Sequence, residues 1–377
     1  MIYNEFSDLG FKVSQLGFGV MRLPDKEKNG KACVDWEKSI PLLRKGAELG
    51  INFYDTHPMY CHNESEQVLG EALSGIDQKI YVQTKCPLWK DLEPGESWRM
   101  FLDQSLEHLQ RNYIDIYIAH ALKWETFREK GDDFLKMVTK AMDEGIVGTT
   151  GFSSHDTPEN VMKLLDVDEF KCMTIQYNLL DRQYEECIEK AAKKGMAVII
   201  MGPVSGGIFE EYPKGMEQAA PESVDTAAEL ALKFVLRNSN VTSALSGMSS
   251  IPQVEENVKK LSGKIELPDE KLNDVYKQVK ALKEECETYC TGCNYCMPCP
   301  QGIMIPQVFK ALSILKVYGS WARAKELYDI FTSTTKEGKE RKPSVCIECG
   351  ECMEKCPQDI DIINQLKEVE RIFEGGE

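Results

Sequence analysis

From the N-terminus to about residue 262, short β-rich runs alternate with stretches whose apolar residues recur at helical spacing. That rhythm is the pattern of parallel strands joined by crossover helices. The first clear strand lies in "SQLGFGVMRL", and the helix of "DWEKSIPLLRKGAELG" ends on a glycine that reads as a C-cap. "INFYDT" follows as the second strand. Helix and strand then alternate through "SEQVLGEALSG" and "KIYVQTK", "WRMFLDQSLEHLQ" and "YIDIYIAH", and "DDFLKMVTKAMDEG" and "VGTTGFS". The series continues with "TPENVMKLLD" and "CMTIQYN", "YEECIEKAAKKG" and "MAVIIMGPV", and "DTAAELALKFVLRNSN" and "VTSALSGM", before the closing helix "PQVEENVKKLSG". Eight strands, each followed by a helix, predict an α/β fold of the (β/α)8 or TIM-barrel type, whose usual length is about 250 residues. No GxGxxG follows the first strand, and eight units exceed the usual count of an open doubly wound sheet.

Beyond the barrel the pattern changes. "KIELPDEKLNDVYKQVKALKEECE" is polar and helical, so the sequence divides into a barrel domain at 1–270 and a tail at 271–377, the boundary falling somewhere between 265 and 289. Nine of the fourteen cysteines lie in 286–356, flanking a helical stretch, "MIPQVFKALSILKVYGSWARAKELY". The tail therefore reads as a small helical module held by its cysteines. Their tight spacing points to metal ligation in a reducing compartment rather than to disulfides. The other five, Cys33, Cys61, Cys86, Cys172 and Cys187, read as ordinary thiols.

Charge narrows the function classes. A net charge of −16 argues against a nucleic-acid or anionic-membrane binder, which needs clustered Lys and Arg. No apolar run approaches the roughly 20 residues of a membrane span, and the N-terminus lacks the layout of a signal peptide. A cytoplasmic enzyme with no nucleic-acid or membrane partner is expected.

On a TIM barrel the chemistry sits at the C-terminal ends of the strands. Strand two ends in "FYDTHPMY", giving Asp55 and Tyr60; strand three gives Lys85; strand four gives His120. A phenol with a pKa near 10 is a poor acid or base at neutral pH, and an adjacent ammonium draws that pKa down. Lys85 would supply this charge, Asp55 would hold Lys85, and His120 would donate a hydrogen bond to a carbonyl oxygen. The set is suited to carbonyl reduction. His57, His62, His108 and His155 read as helix, loop or mouth-lining residues, and Trp89 as a pocket wall or a packing residue.

"GINFYDTHPMY", "YVQTKCP" and "IAH" together resemble the aldo-keto reductases, and Asp55, Tyr60, Lys85 and His120 fall on that family's catalytic positions. The resemblance runs through "GFSSH", "IQYNLLDR", "GPVSGG" and "SGMSSIPQVEEN". It implies a nicotinamide cofactor, NADP or NAD. Ser153 and Gln176 would lie near its carboxamide, Tyr177 near its ring, Gly202, Ser205 and Gly206 along its pyrophosphate, and Ser249, Gln253, Glu256 and Asn257 near its adenosine. NADPH-preferring members place a basic residue after strand eight, whereas here none precedes Lys259, so both cofactors stay open. "HPMYCHNESE" replaces the family's small or Gly-rich stretch, which gives Cys61 and His62 the chance to shape the pocket.

Cys346, Cys349, Cys352 and Cys356, followed by Pro357, match the Cys-x2-Cys-x2-Cys-x3-Cys-Pro run of bacterial two-cluster ferredoxins. Cys290, Cys293, Cys296 and Cys299 nearly repeat it with one residue fewer. Because each fourth cysteine serves the other cluster, Cys290, Cys293, Cys296 and Cys356 would hold one [4Fe-4S] cluster, and Cys346, Cys349, Cys352 and Cys299 the second. Zinc also uses Cys-x2-Cys pairs, but two triple runs ending in Cys-Pro favour iron. Cys286 reads as a bystander. The tail resembles the helical two-cluster ferredoxin modules of anaerobic oxidoreductases. Nicotinamide delivers a two-electron hydride and each cluster moves one electron. A flavin, a ferredoxin or another redox partner would join the two; otherwise the clusters serve structure, sensing or docking. The alternative reading is an electron-transfer or partner-docking protein built on the same barrel.

Overall fold

The computed structural model describes residues 1–28, 31–88, 96–212, 216–284, 290, 295–334, 338–356 and 359–375. Two compact units share them: Met1–Pro203 with Ala231–Glu266, and Val204–Leu230 with Leu267–Glu377.

The first unit begins with an antiparallel hairpin of β1 (Tyr3–Glu5) and β2 (Lys12–Ser14). Phe6 in its turn is fully buried, stacked on Phe11 at 5.0 Å and set edge-on to Phe53 at 6.1 Å. The hairpin thereby stoppers the barrel core, where Phe6 and Val13 pack with Phe53, Ile116, Ile118, Cys172, Ile199 and Leu245. β3 (Leu16–Gly19) enters the barrel, and a second hairpin, β4 (Asp25–Lys28) with β5 (Lys31–Val34), stands outside it. The remaining strands are β6 (Phe53–Asp55), β7 (Tyr81–Cys86), β8 (Ile114–Ala119), β9 (Val147–Ser154), β10 (Cys172–Gln176), β11 (Ala197–Met201) and β12 (Ser243–Ser246). With β3 they close an eight-stranded parallel barrel in the order β10-β11-β12-β3-β6-β7-β8-β9. The eight strands are those the alternation predicts. The two hairpins are additions that the pattern does not announce.

Helices α1 (Trp36–Glu48), α2 (Ser65–Leu73), α3 (Glu96–His108), α4 (Trp124–Asp143), α5 (Pro158–Leu164), α6 (Glu185–Lys193), α7 (Ala227–Leu236) and α8 (Ile251–Leu261) supply the crossovers. Each buries one stripe, as α4 does with Phe134, Met137, Val138 and Ala141. α5 starts at Thr157, whose side chain accepts from the Asn160 N–H, with Pro158 at the first helical position. Among the described residues no helix is long and apolar enough to cross a membrane.

In the second unit α9 (Asp269–Glu284) leads towards the cysteines. The stretch between the cysteine groups forms two helices, α10 (Ile305–Tyr318) and α11 (Trp321–Thr332). Gly319 separates them: at φ 69° it takes the left-handed C-cap conformation that glycine adopts without strain. A short α12 (Glu351–Glu354) precedes α13 (Ile362–Phe373), which buries Ile362, Leu366, Val369 and Phe373 along one face. Phe373 stacks on Tyr328 at 4.7 Å and on Trp321 at 5.4 Å, joining α13 to α11. The segment 204–230, which follows the seventh barrel strand, belongs to this unit; its turn at 205–210 meets α11 and its turn at 216–218 meets α9.

Strand spacing in the barrel tolerates no bulk at Gly151. This residue pairs with Cys172 across β9 and β10, and a Cβ there would collide with the Cys172 carbonyl oxygen and thiol. Gly151→Ala is expected to lower stability by about 1–3 kcal/mol, read as a lower thermal midpoint. An unchanged midpoint would mean that β9 and β10 can separate locally.

Candidate active site

Parallel register sets the site before any side chain is considered. Asp55 is level with Gly19 on one side and Gln83 on the other, and Lys85 is level with Ile118. Because side chains alternate along a strand, Gln83 and Lys85 share a face. The Lys85 ammonium donates to Asp55 Oδ2 at 2.7 Å and to the Thr56 carbonyl at 2.7 Å. Gln83 Nε2 donates to the other Asp55 oxygen at 2.7 Å and to Thr174 Oγ1 at 3.0 Å. The ion pair is almost wholly shielded, with side-chain exposures of 3% and 8%.

Tyr60 lies over this pair, its ring centroid 4.8 Å from Lys85 Nζ. Its loop is tied down by Ser65, whose N–H donates to the Tyr60 carbonyl and whose hydroxyl donates to the Val20 carbonyl. The three residues after Tyr60 all take left-handed backbone angles, Cys61 at φ 48°, His62 at 58° and Asn63 at 67°. Left-handed backbone in consecutive non-glycine residues costs energy and is tolerated where surrounding contacts over-determine it. Cys61 Sγ donates to the Val20 carbonyl and His62 Nε2 is 3.4 Å from Asp25 Oδ1, so these two side chains bind the loop to its surroundings.

His120 follows β8, its N–H donating to the Cys86 carbonyl. Its ring stands nearly perpendicular to Tyr60 at 6.0 Å. His57 packs beside both, its ring 4.1 Å from His120 and 5.1 Å from Tyr60. His57 is 1% exposed, and its Nδ1 accepts from the Met59 N–H, so a neutral ring carries its proton on Nε2. Sequence reasoning left His57 among loop or mouth-lining residues. Its position two residues after Asp55 was the available signal.

Burial and charge compete over each group. The Tyr60 phenol ends up above its ordinary pKa, because burial pushes it up further than Lys85 pulls it down. This corrects the expected lowering: Lys85 acts in the expected direction but does not prevail. Burial opposes the Lys85 charge, yet Asp55 and Tyr60 overcome it and the ammonium is held above its ordinary range. Burial, then the charges of Lys85, His57 and His155, hold the His120 imidazole far below its ordinary range.

The residues expected to hold a nucleotide fall into both units. In the first, Ser153 is buried and its Oγ accepts from the Ala121 N–H, bracing the turn after His120. Gln176 donates to Asp181, and the Gly202 carbonyl accepts from Asn178. Tyr177 is buried, its hydroxyl donating to Glu185 and its ring 5.1 Å from Phe234. Ser249 donates to Gln253 Oε1 through N–H and hydroxyl, Asn257 reaches Ser246 Oγ at 3.4 Å, and Glu256 is exposed. Ser205 and Gly206 lie in the second unit.

Residues 15–280 match the family model of the aldo/keto reductases, about seven-tenths of the sequence. The chain belongs to the aldo/keto reductase family. This aldo/keto reductase is 30% identical to the L-galactose dehydrogenase of Arabidopsis thaliana over 279 residues, covering 66% of this chain and 84% of that protein. It is 26% identical to the NADH-specific methylglyoxal reductase of Escherichia coli over 276 residues, covering 61% and 84%. In structure it is similar to the holo form of the aldo-keto reductase AKR11C1 from Bacillus halodurans, with 27% identity, a TM-score of 0.63 and coverage of 74% and 96%. Residues 289–360 match a 4Fe-4S dicluster domain.

In the second unit of this oxidoreductase, Cys296, Cys299, Cys346, Cys349 and Cys352 line one cleft. Cys352 is within electrostatic reach of Cys346, Cys349 and Cys299. Among the described residues no three His, Cys, Asp or Glu side chains converge closely enough to hold a single ion. Cys290 and Cys356 are half-buried, while Trp89, Cys286, Cys293 and Pro357 lie outside the described residues.

The lowered His120 pKa has a pH consequence. Below about pH 6.5 the unfolded chain takes up a proton that the folded imidazole refuses, so stability falls on acidification by at most about 1.4 kcal/mol per pH unit from this group. His120→Gln is expected to flatten that dependence. The His120 ring resonances should not titrate between about pH 5 and 8; a midpoint inside that window would contradict the burial argument.

Proposed function

We propose that this chain interconverts a small carbonyl compound and its alcohol with NAD(P)H, Tyr60 serving as the acid in reduction and the base in the reverse. The observation that carries this reading is the Lys85 ammonium, buried and clamped by Asp55 and Thr56, 4.8 Å from the Tyr60 ring. The nicotinamide, when bound, supplies or accepts the hydride. Its residues would be Ser153, Gln176, Tyr177, Gly202, Ser205, Gly206, Ser249, Gln253, Glu256 and Asn257, and the E. coli relative is named for NADH.

The raised pKa keeps Tyr60 protonated at neutral pH, so a proton is available for the carbonyl oxygen. As that proton leaves, the charge forming on the phenolate is met by Lys85, an interaction strongest after transfer. A neutral His120 can donate an N–H hydrogen bond to the same oxygen without adding a second positive charge beside Lys85. His57 packs against both rings and restricts where each can point.

In the second unit Cys346, Cys349, Cys352 and Cys299 would hold one [4Fe-4S] cluster, a set supported by the closeness of Cys352 to the other three. Cys290, Cys293, Cys296 and Cys356 would hold the other. Their single-electron traffic belongs to a ferredoxin-like or flavin-bearing partner rather than to the hydride step.

Tyr60→Phe is expected to reduce carbonyl turnover by about 10²- to 10⁴-fold with nucleotide binding, followed by fluorescence, unchanged; full turnover would refute the tyrosine's role. Anaerobically purified protein is expected to contain about eight iron atoms per chain, falling to about four in Cys349→Ser. Zinc in place of iron would reject the cluster assignment.

A further inference from the structure

The Tyr60 loop is held from two sides, and only the inner one is the barrel. There the Val20 carbonyl accepts from Ser65 Oγ at 2.6 Å, and the Val20 N–H donates to the Asp55 carbonyl at 2.8 Å. On the outer side stands Glu64, the first residue after the left-handed run of Cys61, His62 and Asn63. Its Oε2 accepts from the Trp36 indole N–H at 2.6 Å and its Oε1 from the Val34 N–H at 3.3 Å, so the junction between β5 and α1 engages both oxygens of one carboxylate. The Glu64 N–H donates to the Cys61 carbonyl at 3.0 Å, closing the run on itself. The junction is firmly held in turn. Asp35, between Val34 and Trp36, donates its N–H to the Pro24 carbonyl at 2.7 Å, and its carboxylate meets Lys26 at 3.3 Å and Lys38 at 3.4 Å.

A glycine takes left-handed angles freely, whereas a run of other residues keeps them only where contacts at its ends enforce them. "HPMYCHNESE" stands where the family has a small or Gly-rich stretch, so this chain needs an anchor of its own. Hydrogen bonds to a carboxylate are among the strong ones, and Glu64 accepts two of them beside the strained run. Tyr60 immediately precedes that run, so any relaxation of it shifts the phenol relative to Lys85. We propose that Glu64 is a positioning residue for Tyr60, locking the outer end of its loop to Trp36 and Val34 and so keeping the phenol over Lys85. This rests on the tyrosine reading above and deepens it: the catalytic assembly extends to the hairpin outside the barrel.

The test uses the full chain with its clusters and follows reduction of methylglyoxal, diacetyl and benzaldehyde with NADH and NADPH. Glu64→Ala is expected to lower kcat by about ten- to a hundred-fold, while KM for the carbonyl and nucleotide affinity, read by fluorescence, stay at their wild-type values. Glu64→Gln should recover part of the loss, because its amide oxygen still accepts from Trp36. Trp36→Phe keeps a ring and removes the donor, so it should lose turnover as Glu64→Ala does, and it takes that variant's place if Glu64→Ala does not fold. In a Tyr60→Phe background, adding Glu64→Ala is expected to cost nothing further, since no hydroxyl remains to be placed. A general structural contribution would instead multiply the two losses. Unchanged turnover in Glu64→Ala, equal loss with alanine and glutamine, or independent losses in the double variant would overturn the proposal and leave the Tyr60 reading standing. Full turnover in Tyr60→Phe, or a wild type that reduces none of the three carbonyls, would bring down both.

Discussion

Two opposite charges removed from water inside the end of a barrel constrain everything around them. Lys85 and Asp55 attract each other at 2.7 Å, but removing either would leave an uncompensated buried ion, typically a loss of about 3–5 kcal/mol. Their remaining hydrogen-bonding capacity must therefore be met, and Gln83 and the Thr56 carbonyl meet it. That requires Asp55 level with Gln83, and a slip of one residue would turn Gln83 and Lys85 away from the interior. Closure of the barrel and stoppering by Phe6 make the slip unavailable. Chemistry and fold are thus fixed by one strand alignment.

Much of this was legible in the chain. Strand two, three and four endings announce Asp55, Tyr60, Lys85 and His120, because period-two alternation and the position of strand ends are local properties. The two hairpins were not legible: β4 reads "DKEK", wholly exposed, and offers no apolar alternation to detect. Nor was the net behaviour of Tyr60, which depends on how much water the folded loop excludes, a quantity no spacing encodes. His57 was hidden for a related reason. A histidine two residues after Asp55 looks the same in sequence whether it faces solvent or packs against two buried rings.

The tail divides in the same way. Cysteine spacing is local and marks the metal chemistry at once. The gathering of Cys296 and Cys299 with Cys346, Cys349 and Cys352 about one cleft joins residues some fifty positions apart, and the spacing rule suggested only the Cys299 part of it beforehand. Gly319 was present in the sequence as a break, but a continuous apolar pattern across it masked the division into α10 and α11.

Connectivity bears on where the protein can be cut. The chain passes between its two units at 203/204, 230/231 and 266/267, so no single cut separates them. A chain ending before residue 267 would keep the eight strands together with a loop whose α9 and α11 neighbours are missing. Trimming the tail would therefore also remove the packing partners of the loop after the seventh strand.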